Sequence, residues 1–531
     1  MFLNSALFFL SLCASAASLG TPLKVLEKHQ TAPSTFTNPV VYSDFADNDI
    51  SRGPDGKFYF SASNMHFSPG APILRSSDLV NWETVGHSVP TLGFGSAYDM
   101  TDGIAYRRGT WASTMRYRAS NGLWYWIGCV DFWVTYVYTA SNVTGPWSQR
   151  SALYGKCYYD CGLLIDDDDT MYVVHDNTNV KMSQLSADGF SEVKVQDIIT
   201  TPAGYSGLEG NRLYKRGGVY YILDDAPADG ATFIWKSNSV WGPWTSKLLI
   251  EKVRSPVGGG GDPDQGSLIE TAAGDWYFMS FTWAYPAGRM PILAPVTWGS
   301  DGFPVLTTVN GTWGVNYPLP LPTVKTPSWT GTDKFPGTAL SAQWEWNHNP
   351  DTSKYAVNNG LTLSTATVTT DLYKARNTLT HRLFGPLPVG TVQFDFTNMA
   401  DGDRAGLSAF RDQASYIGIH RSGGSYSINF VDGLLQNKTD WSTISNGTIV
   451  DRVDISSSKK VWLRANIDAR ADGTKLATYE YSLNGKTFVK MKGAAALSTG
   501  WELFMGYRFA IFNFATVGLG GSVKVVAFTN I

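Results

Sequence analysis

Gly56-Lys57-Phe58-Tyr59-Phe60, Gly122-Leu123-Trp124-Tyr125-Trp126, Asp169-Thr170-Met171-Tyr172-Val173, Gly218-Val219-Tyr220-Tyr221-Ile222 and Gly274-Asp275-Trp276-Tyr277-Phe278 are five copies of one pattern. Each opens on Gly or Asp and carries Tyr in fourth place between large apolar residues. A turn former feeding such a run reads as a tight turn followed by a strand. Successive tyrosines lie 66, 47, 49 and 56 residues apart. Repeats of this length, each made of several short strands, mark a β-propeller, and five copies imply five blades. Trp82, Gly145-Pro146-Trp147 and Gly242-Pro243-Trp244 recur after the first, second and fourth copies. Five unrelated hairpins of a sandwich would not require this recurrence or the invariant Tyr. An all-β chain is expected, with a five-bladed propeller over residues 22–317.

Twelve residues before each repeat tyrosine stand Asp47, Ser113, Asp160, Glu209 and Gln265. Equivalent positions of the blades ring the propeller axis, so one register brings three carboxyl groups and two polar side chains together. Polar strand-end residues are the plainer reading. Convergence of three acids is what a site needs. Two carboxyl groups across a sugar support glycosidic cleavage, one ionised to activate water and one protonated to release the leaving oxygen. A third carboxylate beside the acid raises the acid's pKa by like-charge repulsion. Calcium is the rival use of three acids, since hard cations take oxygen ligands. Hydrolysis itself requires no cofactor.

Composition agrees with a rigid all-β protein. Aromatic residues are 14% and charged residues 16% of the 531, against about 25% charged in ordinary domains. That balance excludes disorder. The net charge of −3 gives no basic footprint for nucleic acid. Residues 1–16 read as a signal peptide, with an apolar run Ala6–Leu12 and the small residues Ala14-Ser15-Ala16. No later stretch is long and apolar enough for a transmembrane helix. Asn142, Asn310, Asn437 and Asn446 are N-glycosylation sequons. A secreted glycoprotein, monomeric and without membrane contact, is expected. Cys129, Cys157 and Cys161 remain after cleavage, so one disulfide and one free thiol are expected, the pairing open. Their spacing does not suit zinc.

Asn38-Pro39-Val40 with Asp44-Phe45-Ala46-Asp47-Asn48-Asp49-Ile50, Tyr159-Asp160-Cys161-Gly162, and Leu208-Glu209-Gly210 with Leu213-Tyr214-Lys215 resemble the three acid-bearing segments of glycoside hydrolase family 43. Ala46 and Asn48 stand where prolines usually flank the first Asp. By this resemblance Asp47 is the general base, Glu209 the general acid and Asp160 the pKa modulator. Gln265-Gly266-Ser267-Leu268-Ile269-Glu270-Thr271 and Gly288-Arg289 with Pro295-Val296-Thr297-Trp298 extend the likeness. They place Gln265 and Arg289 among the substrate-binding residues, with Arg289 on the terminal sugar. Trp111 resembles the family's pocket Trp, inter-blade packing being its alternative. Many members carry, before the residue matching Gln265, a His that can lie at a central metal. Asp264 stands there, which leaves the metal undetermined. The family's inverting chemistry implies acid and base about 6.5–9.5 Å apart.

Asp166-Asp167-Asp168-Asp169 reads as a solvated hairpin tip, since it lacks EF-hand spacing. Gly258-Gly259-Gly260-Gly261 reads as a mobile rim loop, since no P-loop Lys-Ser/Thr follows it. Ser267 and His175 lack a nucleophile-elbow context. Residues 318–330 form a Pro-rich linker. Alternating strands fill residues 331–531, including Val392/Phe394/Phe396, Tyr426/Ile428/Phe430 and an Asn484-Gly485 hairpin turn. A jelly-roll-like β-sandwich follows, resembling the C-terminal domain of xylosidase- and arabinofuranosidase-type members. The whole chain most resembles fungal members that remove arabinose from doubly substituted xylose. An exo-acting α-L-arabinofuranosidase on arabinoxylan or arabinan is therefore expected, with Tyr158 and Tyr159 abutting the backbone xylose. A β-xylosidase using the same three acids, an endo-acting or transferring enzyme, and a non-catalytic sugar-binding propeller are the alternatives.

Overall fold

A computed structural model describes residues 34–455 and 459–531. The expected signal peptide lies outside the described residues. Five four-stranded antiparallel sheets follow one another along the chain. Their first strands are Asp49–Arg52, Thr114–Arg118, Gly162–Ile165, Glu209–Arg216 and Pro263–Glu270. Their second strands, Phe58–Ser61, Leu123–Val130, Met171–His175, Val219–Ala226 and Trp276–Ala284, each carry one of the repeat tyrosines.

The tyrosines recur because four of them join neighbouring blades. Tyr59 meets Trp124 of the next blade edge-on at 4.9 Å, Tyr125 meets Phe190, Tyr172 meets Trp241, and Tyr221 meets Trp298 at 5.2 Å. Aromatic pairs of this geometry bind beyond their buried area. The acidic run also joins blades rather than standing free in solvent. Asp166 accepts from Lys215 and from the Tyr220 hydroxyl of blade four, and Asp169 accepts from Arg118 of blade two.

The ring closes through the start of the described chain. Thr35–Thr37 pairs antiparallel with Asn316–Pro318. Asn38 donates to the carbonyls of Leu293 and Gly314, and its own amide oxygen accepts from Leu293 N. The Pro-rich segment that follows lies on the propeller: Leu319, Leu321 and Trp329 pack into its core, and Val324 N donates to Asp78.

Beyond this strap, two sheets of nine and eight strands face each other as a sandwich. The eighth strand of the smaller sheet, Phe67–Ser68, comes from the propeller and pairs with Trp344–Asn347. The two folds thus share a sheet as well as a surface. A buried charge cluster continues the junction: Glu345 lies between Arg382 and Arg508, and both guanidinium groups donate to the Asn64 side chain of blade one. Arg382 also donates to the Asp44 carbonyl. The disulfide joins Cys129 to Cys157, with Cα atoms 5.0 Å apart, and Cys161 is free and buried.

Candidate active site

The five register positions converge at the head of the first strands, and four are buried: Asp47, Ser113, Asp160 and Gln265. Local backbone geometry aims them inward. Asp47, Asp160 and Gln265 have φ of 57°, 47° and 32°, and Gly210, next to Glu209, has 70°. Non-glycine residues in this region carry strain that the surroundings must hold. Pairing slips between Glu209 and Arg212 and between Asp264 and Gly266, and such bulges re-aim side chains. Glycine is required at 210, because a Cβ there would lie 2.5 Å from the Gln265 side chain.

Arg212, fully buried, fixes the loops that carry two of the acids. It donates to the carbonyls of Asp47, Asn48 and Cys161 and lies 3.6 Å from Asp49. Burial opposes ionisation of Asp49, but Arg116 and Arg212 outweigh it and hold that carboxyl below its ordinary range. Arg212 stands three residues after Glu209, and that spacing is the one sequence signal that singles it out.

Each acid has a distinct environment. Asp47 accepts from the Ser63 hydroxyl at 2.5 Å and from Arg289 Nη1 at 2.7 Å. Asp160 accepts from Gln265 Nε2 at 2.7 Å and from Gly210 N at 3.2 Å. Glu209 accepts from the Tyr159 hydroxyl at 3.0 Å. Burial, then the charge of Asp264, pushes the Glu209 carboxyl up to about 7, against the opposing Tyr159 hydrogen bond. Burial beside Glu209 and Asp47 also drives Asp160 well above the carboxylate range. Ser113, the second register position, is used structurally, accepting from Trp126 Nε1.

An aromatic rim surrounds these groups. Phe132, 60% exposed, stacks on Tyr159 at 5.9 Å and meets Trp111 at 4.8 Å. Trp111 is half-buried, its indole donating to the Arg107 carbonyl. It faces Phe504, which comes from the sandwich and also contacts Trp283. The Phe504 carbonyl accepts from Arg289 Nε at 3.0 Å. The second domain therefore holds the arginine that holds Asp47, and sequence reasoning missed Phe504, some 450 residues from Asp47. Gly261 donates to the Trp283 carbonyl, and a Cβ at Gly259 would lie 2.8 Å from the Ala471–Asp472 backbone. The glycine run is thus a close-approach segment packed on the sandwich, in place of the expected mobile loop. Ser267 and His175 sit on different blades and serve packing, Ser267 bonding to the Asn48 carbonyl and His175 to Ser183.

An acid whose pKa is pushed up to about 7, in one site with a second carboxyl group held by an arginine, is an arrangement for acid-assisted bond cleavage. Residues 36–304 match the pattern described as Glycosyl hydrolases family 43, about half of the chain. The chain belongs to glycosyl hydrolase family 43. Residues 332–529 match the β-xylosidase C-terminal concanavalin A-like domain. A solved family 43 glycoside hydrolase, whose engineered active site displays both endo-xylanase and exo-arabinofuranosidase activity, is 41% identical with a TM-score of 0.90, over 94% of this chain and 100% of that one. A β-xylosidase of Formosa agariphila is 25% identical over 96% of this chain and 93% of its own length. A non-reducing-end α-L-arabinofuranosidase of Bacteroides ovatus is 28% identical over 60% of this chain and 62% of its own. The enzyme is thus a hydrolase of O-glycosyl bonds.

Where other family 43 chains carry a His at a central metal, Asp264 Oδ2 accepts the Trp283 indole N–H at 2.8 Å. Among the described residues no group of three His, Cys, Asp or Glu is disposed to hold a metal. This donor set does not fit a His-ligated ion.

The elevated Glu209 gives a sign for the pH profile. An acid catalyst must be protonated, so kcat/KM is expected to fall as pH rises through about 7. The Tyr159 hydroxyl favours the ionised form. Tyr159→Phe should therefore move that alkaline limb to higher pH, measured by kcat/KM profiles of the two proteins.

Proposed function

We propose that the enzyme is a secreted, exo-acting α-L-arabinofuranosidase that removes arabinose side chains from arabinoxylan by a single inverting displacement. Asp47 activates water, Glu209 protonates the leaving oxygen, and Asp160 modulates the pKa of the acid. Arg289 serves twice. Its Nη1 holds Asp47, while Nη2 is buried without a partner and offers a donor to a sugar hydroxyl. Gln265, already bonded to Asp160, supports the site through that acid. Cleavage transfers the Glu209 proton to the departing xylose oxygen and the water proton to Asp47. It leaves inverted arabinose.

The observation that carries the arabinose reading is the open aromatic shelf of Tyr159 and Phe132 beside the acids. A side-chain-cleaving enzyme needs room there for the xylan backbone, whereas a xylosidase needs mainly a blind pocket. The exo-arabinofuranosidase activity of the 41%-identical relative supports the same reading. The β-xylosidase name of the Formosa relative supports the second reading, xylose release by the same acids. Sugars liberated from singly and doubly arabinosylated xylo-oligosaccharides test the two. Free arabinose with the backbone intact is expected, and xylose as the main product would overturn the proposal. Tyr159→Ala should alter the preference between singly and doubly substituted substrates by about tenfold, the scale of a lost stacking contact. Competition assays on the two oligosaccharides measure it.

A further inference from the structure

The aromatic shelf beside the acids is underlain by a covalent bond that none of the assigned roles uses. The cleft there is lined by Trp111, Cys129, Phe132, Tyr159 and Asp160. Cys129 is the last residue but one of the strand Leu123–Val130, and Phe132 follows three positions later. Its disulfide partner Cys157 stands two positions before Tyr159 and three before Asp160. The bond therefore joins, at their bases, the blade-two turn that carries one ring of the stacked pair and the blade-three segment that carries the other. The turn needs holding. Asp131 and Phe132 have φ of 57° and 56°, two successive non-glycine residues in the left-handed region, a conformation that persists only where the surroundings impose it. Asp131 accepts from Arg108 and Tyr98, while the exposed Phe132 ring leans on Trp111 and Tyr159. On the other arm, Thr135 accepts from Tyr158 N and donates to the Lys156 carbonyl, both at 2.8 Å, and the Tyr158 ring stacks on His175. Beyond Tyr159 the chain is fastened from blade four, where Asn211 donates to the Asp160 carbonyl and Arg212 to that of Cys161. Tyr159 lies between these two anchorages.

We infer that the Cys129–Cys157 disulfide is a positioning element for substrate recognition: it sets the spacing of Phe132 and Tyr159, and so the fit of the sugar chain that bears the cleaved group, without taking part in bond cleavage. The inference rests on the reading of Tyr159 and Phe132 as the shelf for that chain. A cross-link removes alternative separations of the segments it joins, and here both segments end in a shelf ring. A shelf already set spares the bound chain the cost of ordering it. The acids are insulated from the bond. Asp47 is held by Ser63 and Arg289, and Asp160 by Gln265 and Gly210, from blades one, four and five. Glu209 does accept from Tyr159, but that bond favours the ionised form, so loosening it leaves the acid protonated.

The test compares two substrates in the double variant Cys129→Ser/Cys157→Ser. An arabinosylated xylo-oligosaccharide uses the shelf, and an activated aryl arabinofuranoside carries no sugar chain to place on it. At mildly acidic pH, kcat/KM on the oligosaccharide is expected to fall about tenfold, the scale of a lost stacking contact, chiefly through KM. On the aryl substrate it should stay within about twofold. An equal fall on both substrates would show a general stabilising role and overturn the inference, as would an unchanged oligosaccharide rate in a variant that mass spectrometry shows to lack the bond. Should the double variant fail to fold by circular dichroism, the parent protein reduced with a dithiol and alkylated carries the same expectation. There the S–S bond becomes two thiols while the dithiol closes its own disulfide. Tyr159→Ala separates the two levels. If it leaves the oligosaccharide-to-aryl ratio unchanged, the shelf reading itself falls. If it lowers the ratio and the cysteine variant does not, only the role of the disulfide falls. In a Tyr159→Ala background, loss of the disulfide should lower the ratio by less than about twofold further, because the two changes act on one contact; a full additional tenfold loss would place the effect elsewhere and overturn the inference.

Discussion

Glu209→Gln is expected to lower arabinose release from arabinoxylan by about 10³-fold, within the span that a positioned general acid contributes. The amide matches the carboxyl in size and can still accept from Tyr159, so the fold and KM should change little. What disappears is the proton for the leaving oxygen. The loss belongs to the transition state alone, so kcat and kcat/KM should fall together. An activated aryl arabinofuranoside supplies the internal control. Its leaving group departs as a stable anion and needs little protonation, so the variant should lose far less on it. Equal loss on both substrates would assign Glu209 a structural role, and equal release by variant and parent would remove it from the mechanism.

The second large effect lies away from the chemistry. Glu345→Ala should destabilise the fold by about 3–5 kcal/mol, the cost of leaving a buried ion pair with one partner. Glu345 is 2% exposed and accepts from Arg508 and from His87, with Arg382 3.5 Å away. Arg508 is drawn down to about 10, first by burial and then by the neighbouring Arg382, despite the attraction of Glu345. Two buried guanidinium groups facing each other without Glu345 would repel unscreened. Arg382 and Arg508 both hold Asn64, next to the Ser63 that bonds Asp47, so activity should fall with stability. Denaturant unfolding of parent and variant measures the energy, and a midpoint unchanged at pH 7 would count against the cluster.

The same cluster sets one sign of the pH dependence of stability. Burial opposes ionisation of Glu345, but Arg382 and Arg508 outweigh it and hold its carboxyl far below the ordinary 4.5. Its contribution is present above that value and is lost as pH falls toward the folded value. Glu209 works in the opposite sense. Its contribution is full below 4.5 and is lost as pH rises through about 7. The fold is thus drawn from both sides toward the mildly acidic range.

The blade register was legible because a propeller writes its period locally. Each repeat tyrosine fixes one strand, and counting back along that strand reaches the axis without knowledge of any distant contact. That is why Asp47, Asp160, Glu209 and Gln265 could be placed together from spacing alone, and why low charge made their coincidence informative. The propeller, the sandwich after residue 331, and the count of one disulfide and one thiol belong to the same class of local reading. Tertiary structure decided whatever joins residues hundreds of positions apart. It paired Cys129 with Cys157, set Arg212 across the carbonyls of blades one and three, and brought Phe504 and Arg382 of the sandwich onto the arginine and the loop that support Asp47. It also buried Asp225 and Asp264 on neighbouring blades close to the acid. No spacing encodes such contacts, because their energy comes from desolvation and exists only once the blades have closed around them.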